Sequence, residues 1–348
     1  MNTFFIIAIV VLVFLVIFQI SKVSEYVSVL KGEEKARKQN NKINGFLMIA
    51  FLILGLIGVW WCNDILYHKT LFSYGAASKE GESIDTMMWI TIIITGVVFF
   101  ITQILLFWFS FRYQESDKRK PFYFTHSNKL EIIWTGVPAI TLTILVVFGL
   151  KYWFKFTGAA PKNAQVIEIT GHQFAWEFRY PGKDGILGRK NYKLIDPAKS
   201  NLLGVDWSDA ASHDDIHVAT TVHVVVNRPV KFVINSMDVI HDVGLPAFRL
   251  KMDAVPGTPT TEWFTPIYTT EEMKKKTGNP DFVYEIACDQ LCGTGHFGMR
   301  GVIIVETQKE FNAWMIKQRP EYLKAKKFLA NDLEDSTKTV ALGINSGK

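Results

Sequence analysis

The sequence predicts a membrane-anchored chain whose first part is apolar α-helix and whose second part is an all-β sandwich or barrel. Three observations predict it. Hydrophobic residues make up 49% of the 348 and the mean hydropathy is positive, which is unusual for a chain that folds in water. The apolar residues concentrate in four runs, at about residues 3–20, 45–61, 87–110 and 133–153, each near the roughly 20 residues that cross a bilayer core. From Asn163 onward the pattern changes to short β-branched runs separated by Gly and Pro turns.

The first run has the length of a secretory signal. Met1-Asn2-Thr3 brings no positive charge ahead of it, however, and no small-residue cleavage site follows Ile20, so a retained helix is expected. Between the first and second runs lie Lys22, Lys31, Lys35, Arg37, Lys38 and Lys42; between the third and fourth lie Arg112, Lys118, Arg119, Lys120 and Lys129. Short loops rich in Lys and Arg stay cytoplasmic, so four spans with an external N-terminus place everything after Phe154 outside. The loop between the second and third runs carries Asp64, Glu80, Glu82 and Asp85, as the outer face should. Residues 1–62 then form an extension with two spans, 63–156 a two-helix anchor, 157–330 the β part and 331–348 a polar tail. The net charge of +5 is largely this topology signal, and no basic patch with interleaved aromatics points to nucleic acid.

In the β part, strands are expected over Ala164–Thr170, Ala175–Tyr180, His217–Val226, Val230–Asn235, Thr260–Thr265, Phe282–Ala287 and Gly301–Glu306. Turn chemistry such as Pro181-Gly182, Asn227-Arg228-Pro229 and Val255-Pro256-Gly257 separates them. Many short strands without alternating helices make a sandwich or barrel. The stretch Lys183–Asp215 reads as a polar insertion, and a final helix is expected over Gln308–Leu329 with Thr307 as its cap.

Three cysteines occur, at positions 62, 288 and 292. Cys62, at the end of the second run, reads as a buried, inert thiol. Taken alone, Cys288 and Cys292 are as consistent with a local disulfide as with a metal. Their surroundings favour a metal, because Cys288, Cys292, His296 and Met299 fall within twelve residues. Thiolate, imidazole and thioether form a soft set suited to copper; zinc accepts Cys and His, but Met is a poor zinc ligand. His241, after the strand Val230–Asn235, is a further donor that a loop at the same end of a sandwich brings near. Two cysteines four apart permit each thiolate to bridge two copper ions that share one electron. Gly293 and Gly295 let the chain turn tightly around such a site, and Gly298 could serve the same close approach.

The segment Cys288-Asp289-Gln290-Leu291-Cys292-Gly293-Thr294-Gly295-His296-Phe297-Gly298-Met299 resembles the CuA loop of cytochrome c oxidase subunit II. Further matches are Leu130-Glu131-Ile132-Ile133-Trp134-Thr135, Gly171-His172-Gln173-Phe174-Ala175-Trp176, Asp238-Val239-Ile240-His241 and Leu250-Lys251-Met252-Asp253-Ala254-Val255-Pro256-Gly257. The resemblance runs from about Thr86 to Met315. It implies a cupredoxin-like Greek-key domain following two helices that pack on a catalytic subunit. It implies a binuclear copper centre held by His241, Cys288, Cys292, His296, Met299 and the backbone carbonyl of Gln290. Haems and a second copper site would belong to the catalytic subunit, with other oxidase subunits beside it, in a bacterial inner membrane with the copper domain on the periplasmic side. The electron donor would be a cytochrome c. Glu131 matches the family's glutamate at the mouth of a proton channel.

Four departures follow from the same comparison of motifs. Gln290 stands where most relatives carry a Glu that helps bind magnesium or manganese at the subunit interface. Phe174 stands where many carry the tryptophan that receives the electron, with Trp176 in the next matched position. The first two spans are additional. No Cys-x-x-Cys-His occurs, so cytochrome c would be a separate chain or part of a donor complex. Around the ligands, Asp238, Asp242 and Asp289 read as surface acids that could steer a basic donor. His68, His126, His213, His217 and His223 have no site-like spacing, and His172 is assigned to packing or hydrogen bonding. A membrane-anchored copper carrier would use similar donors. Quinol-oxidase relatives lack the five ligand side chains, and nitrous oxide reductases place the same loop in a larger soluble enzyme.

Overall fold

The computed structural model describes residues 3–327, so the polar tail expected over 331–348 lies outside them. The described residues divide into two units, those up to 68 with 90–140, and 69–89 with those from 141 onward. Among the described residues, four helices are long and apolar enough to cross a membrane: α1 (Thr3–Lys31), α2 (Glu33–Leu66), α3 (Lys79–Arg112) and α4 (Asn128–Thr157).

The charged stretch expected as a loop between the first two spans is helix instead. Lys, Glu, Ala, Arg and Gln are strong helix formers, so the charged residues 33–39 form the first turns of α2. Only Gly32, at φ 81°, separates α1 from α2, in a conformation that costs glycine little. On α2, Arg37 and Asn41 reach Glu115 at 3.4 and 3.1 Å and Lys38 pairs with Asp117. Cys62, expected to be buried, is exposed, because none of the described residues covers this part of α2.

In the second unit the strands are β1 (Gln165–His172), β2 (Ala175–Tyr180), β3 (Ile216–Ala219), β4 (Thr221–Val225), β5 (Val230–Ser236), β6 (His241–Leu245), β7 (Leu250–Ala254) and β8 (Thr260–Phe264). Helix α5 (Thr270–Thr277), β9 (Tyr284–Cys288), β10 (Arg300–Glu306) and α6 (Gln308–Met315) follow. They form two five-stranded sheets, ordered β3-β2-β1-β5-β8 and β4-β10-β9-β6-β7. The fold class read from the sequence, apolar helices followed by a two-sheet β domain, is the one observed. One expected strand, His217–Val226, is two. Thr220 takes φ 65° and passes the chain from one sheet to the other. Strands β6 and β7 were not expected, since His241-Asp242-Val243-Gly244-Leu245 carries an acid and a glycine that strands normally avoid.

The core follows the two-residue period of a strand. Ile167 and Ile169, Trp176 and Phe178, Phe232 and Ile234, Val243 and Leu245, Tyr284 and Ile286, and Ile303 and Val305 are buried on alternate positions. Helices α5 and α6 each begin with a full capping box, Thr269 with Glu272 and Thr307 with Glu310. The final helix was expected to run to Leu329, but α6 stops at Met315 and helix resumes only over 322–327. Pro320 lies in the interruption, where it cannot continue the turn. Leu329 itself is outside the described residues.

Acids expected to mark only the outer loop hold the second unit together. Asp85 pairs with Arg249 at 2.7 Å, and Glu80 accepts the backbone N–H of Thr265 at 2.7 Å. At the end of α4, the Trp263 indole donates to the Lys155 carbonyl at 2.9 Å. On β8, Glu262 is buried and its Oε1 has no hydrogen-bond partner among the described residues. Burial, with a smaller push from Asp242, raises its carboxyl to about 8. An acid whose folded-state pKa lies above its unfolded value binds the proton more tightly when folded. Its stabilisation is therefore present at low pH and drains as pH rises from the unfolded value toward the folded one. Glu262→Gln is expected to lose less stability than the parent between about pH 5 and 8, as read by unfolding of the full chain at each pH.

Candidate metal centre

Strand register aims three donors at one end of the core. His241 shares the inward side of β6 with Val243 and Leu245, and Cys288 that of β9 with Tyr284 and Ile286. Met299, just ahead of β10, has the parity of buried Gly301 and Ile303. Val243 pairs with Cys288 across β6 and β9, and the Cys288 N–H donates to the Met299 carbonyl at 3.2 Å. Cys292 and His296 come from the loop between β9 and β10.

The donors converge. Cys288 Sγ and Cys292 Sγ are 3.7 Å apart, too far for a disulfide and close enough to share metal ions. His241 Nδ1 lies 3.8 Å from Cys288 Sγ and His296 Nδ1 3.7 Å from Cys292 Sγ. The Gln290 carbonyl is 3.2 Å from Cys288 Sγ, and Met299 Sδ is 4.0 Å from Cys292 Sγ. Each sulfur thus has one imidazole nitrogen and one weaker donor beside it. The buried residues His241, Cys288 and Cys292 form a group able to hold a metal ion. With two sulfurs, two nitrogens and a thioether, the set fits copper. Burial and the neighbouring Cys288 thiol raise the Cys292 pKa, so a metal entering the site displaces protons.

Groups beyond the donors orient them. His241 Nε2 sits 2.8 Å from Asp238 Oδ1, whose other oxygen accepts the Gln173 N–H at 2.7 Å. Burial alone would raise the Asp238 carboxyl, but the Gln173 N–H and His241 outweigh it and hold it below the usual carboxylate range. A carboxylate behind a ligating imidazole fixes ring orientation and raises ligand basicity. Asp238→Asn is expected to weaken copper affinity by about 10–100-fold, measured by chelator competition. On the other side of His241, the Trp176 ring packs edge-on with centroids 6.0 Å apart. Gly171 makes room for both, since a Cβ there would lie 2.9 Å from the Trp176 ring and 3.0 Å from the imidazole.

The other expected residues are distributed unevenly. Phe174 is half-buried at the tip between β1 and β2, whereas Trp176 is fully buried, so of the two aromatics only Phe174 reaches the surface. Asp242, expected as a surface acid, lies on the side of β6 opposite His241 and is covered there as well, close enough to Glu262 to act on it, and burial raises its carboxyl. Asp289 is exposed and pairs with Lys251 at 3.5 Å. Glu131 lies exposed in the first turn of α4, in the other unit. The histidines without a site-like spacing have structural partners. His172 and His217 both face Glu177, at 3.3 and 2.7 Å, and His223 faces Glu306 at 2.9 Å while stacking on Trp314. Asp238 and Gln173 as supporting groups were not foreseen; the three-residue spacing from Asp238 to His241 was the available signal for the first.

Two family descriptions match the chain. "Cytochrome C oxidase subunit II, transmembrane domain" covers residues 67–152 and "Cytochrome C oxidase subunit II, periplasmic domain" covers residues 165–307. The "Alternative cytochrome c oxidase subunit 2" of Bradyrhizobium diazoefficiens is 34% identical over 277 residues, spanning 78% of this chain and 92% of that protein. The chain belongs to the cytochrome c oxidase subunit II family. The subunit 2 of Cereibacter sphaeroides is 29% identical over 241 residues, covering 66% of this chain and 74% of that protein. Among solved structures, the periplasmic domain of subunit II of cytochrome oxidase (CoxB) of Bradyrhizobium japonicum is 29% identical with a TM-score of 0.31, covering 45% of this chain and 94% of that one. As a subunit II, the chain is part of a cytochrome c oxidase, with apolar helices in the matched transmembrane domain and the two-sheet β domain in the matched periplasmic domain. Helices α1 and α2 precede the matched ranges.

Proposed function

We propose that this subunit II is the electron inlet of its oxidase, taking electrons from cytochrome c and passing them to the haems of the catalytic subunit, where oxygen is reduced to water with proton pumping. The observation that carries the reading is the sulfur pair at 3.7 Å with an imidazole nitrogen beside each sulfur. His241, Cys288, Cys292, His296, Met299 and the Gln290 carbonyl would hold a binuclear copper centre. That centre, when bound, supplies reversible one-electron storage. The chain's own part is to hold its donors nearly fixed, with His241, Cys288 and Met299 buried at strand ends and Cys292 buried in the loop between β9 and β10. Small rearrangement between redox states is what fast electron transfer needs. Gln290 presents an uncharged amide, a weaker magnesium or manganese ligand than a carboxylate, so the reading assigns no such ion to this chain.

Surface aromatic contact with the donor would be made by Phe174, with Trp176 behind it against His241. The Lys- and Arg-rich segments around residues 22–42 and 112–129 support a cytoplasmic placement of those segments. The β domain then lies on the outer face of a bacterial inner membrane. Glu131 would stand at a proton entrance on the cytoplasmic side; Glu131→Ala should slow turnover and pumping, and unchanged values for both would remove that assignment. The inlet reading itself is tested by mixing reduced cytochrome c with the assembled oxidase in a stopped-flow spectrometer. Copper reduction should precede haem reduction, and haem reduction at full speed in copper-depleted enzyme would contradict it.

A further inference from the structure

The tip between β1 and β2 contributes no donor to the centre, yet it touches both segments that do. The Gln173 N–H donates to Asp238, which holds His241, and the Gln173 side-chain Nε2 donates to the Cys292 carbonyl at 2.6 Å. The ligand loop also lies flat on this tip. At Gly293, whose φ is 135°, a Cβ would fall 2.8 Å from Gln173 Nε2; at Gly295 it would fall 2.5 Å from the Phe174 ring. His241 and Cys292 belong to segments about fifty residues apart, and the Gln173 bridge ties them from outside the β6–β9 pairing.

We infer that Gln173 is the positioning residue that sets the spacing of the two ligand segments, and that its amide donor is the group that does so. The inference rests on the copper-centre reading above. Chemistry singles out glutamine at this place. The acceptor it meets is a carbonyl oxygen, so a glutamate of the same shape would oppose oxygen to oxygen, and asparagine is one methylene too short. An exposed glutamine at a hairpin tip is ordinarily a solvated residue with little consequence. Here the side chain is directed at the backbone of a ligand, which gives it a consequence that can be read at the thiols and at the copper.

The test uses Gln173→Ala and Gln173→Glu in the full-length chain and in the assembled oxidase. In the reduced, copper-free chain, alkylation by iodoacetamide is followed at each cysteine by peptide mass, with exposed Cys62 as the internal reference. In copper-loaded oxidase, the electron paramagnetic resonance hyperfine pattern is recorded. Both variants are expected to speed alkylation of Cys292 about fivefold, the effect of losing one hydrogen bond, and to alter the hyperfine pattern. Parent-like alkylation and spectra in both variants would overturn the inference. So would a parent-like Gln173→Glu beside a perturbed Gln173→Ala, since shape and not the amide donor would then be responsible. A parent chain that takes up no copper pair would instead defeat the functional reading, and the copper-free alkylation rates would still decide for or against Gln173.

Discussion

Cys292→Ser is expected to cut the copper content of the loaded subunit from two ions per chain to one or none, and to lower oxygen consumption driven by cytochrome c by at least about 100-fold. The bound on activity is conservative, because changing groups behind a metal's ligands already costs about 10–100-fold, whereas this change removes a ligand. The geometry explains why one sulfur matters so much. With the thiols 3.7 Å apart and an imidazole beside each, both sulfurs face the space between the donors, so a single thiolate cannot bridge two ions while also preserving both sets of neighbours. A serine hydroxyl is a hard, poorly acidic donor that copper accepts badly. Metal analysis and oxygen electrode measurements check the two halves separately. Two coppers retained in the variant would show that Cys292 is not shared between them.

The second large effect concerns stability. On the outer face of the first sheet, Arg179 donates to Glu168 and Asp215, both at 2.7 Å, and to the Gly188 carbonyl at 2.8 Å; Lys190 adds a contact to Glu168 at 2.8 Å. Arg179, Glu168 and Asp215 are buried. The two acids respond differently. Burial raises both, but Glu168 has two cations and ends below its usual range, while Asp215 has one and is left at about 6. Arg179→Met strands buried negative charge and is expected to cost about 3–5 kcal/mol. Adding Asp215→Asn removes one charge of each sign and leaves Glu168 with Lys190, so the double variant should recover a large part of the loss. Denaturant unfolding of the full chain in detergent measures both. A double variant no more stable than Arg179→Met would show that the network acts by shape and not by charge. The network also anchors the polar insertion, whose Gly188, Lys190 and Asp215 it uses.

What could be read from the sequence follows the range of the interactions. Four metal donors sit within twelve residues, so their chemistry was visible as a string. His241 was placed as a partner because a strand and a loop precede it, although the structure makes it the first residue of β6. Long-range support was invisible. Nothing in a single sequence pairs Gln173 with Cys292, 119 positions away, or Arg179 with Asp215. The buried Asp242 and Glu262 were misjudged or passed over for the opposite reason, since an acid reads as solvated unless its strand register is known. The helix errors have local causes: residues 33–39 are charged and strongly helical at once, and Pro320 divides the last helix where its capping signal promised a longer one.

The central claim is that this chain holds a pair of copper ions that share one electron. The most direct test is a copper count with electron paramagnetic resonance on the full-length subunit after copper loading. Two ions per chain with a mixed-valence signal spread over both is the predicted result. One ion per chain, or zinc bound in preference to copper, would contradict it and return the site to a copper carrier or a structural metal centre.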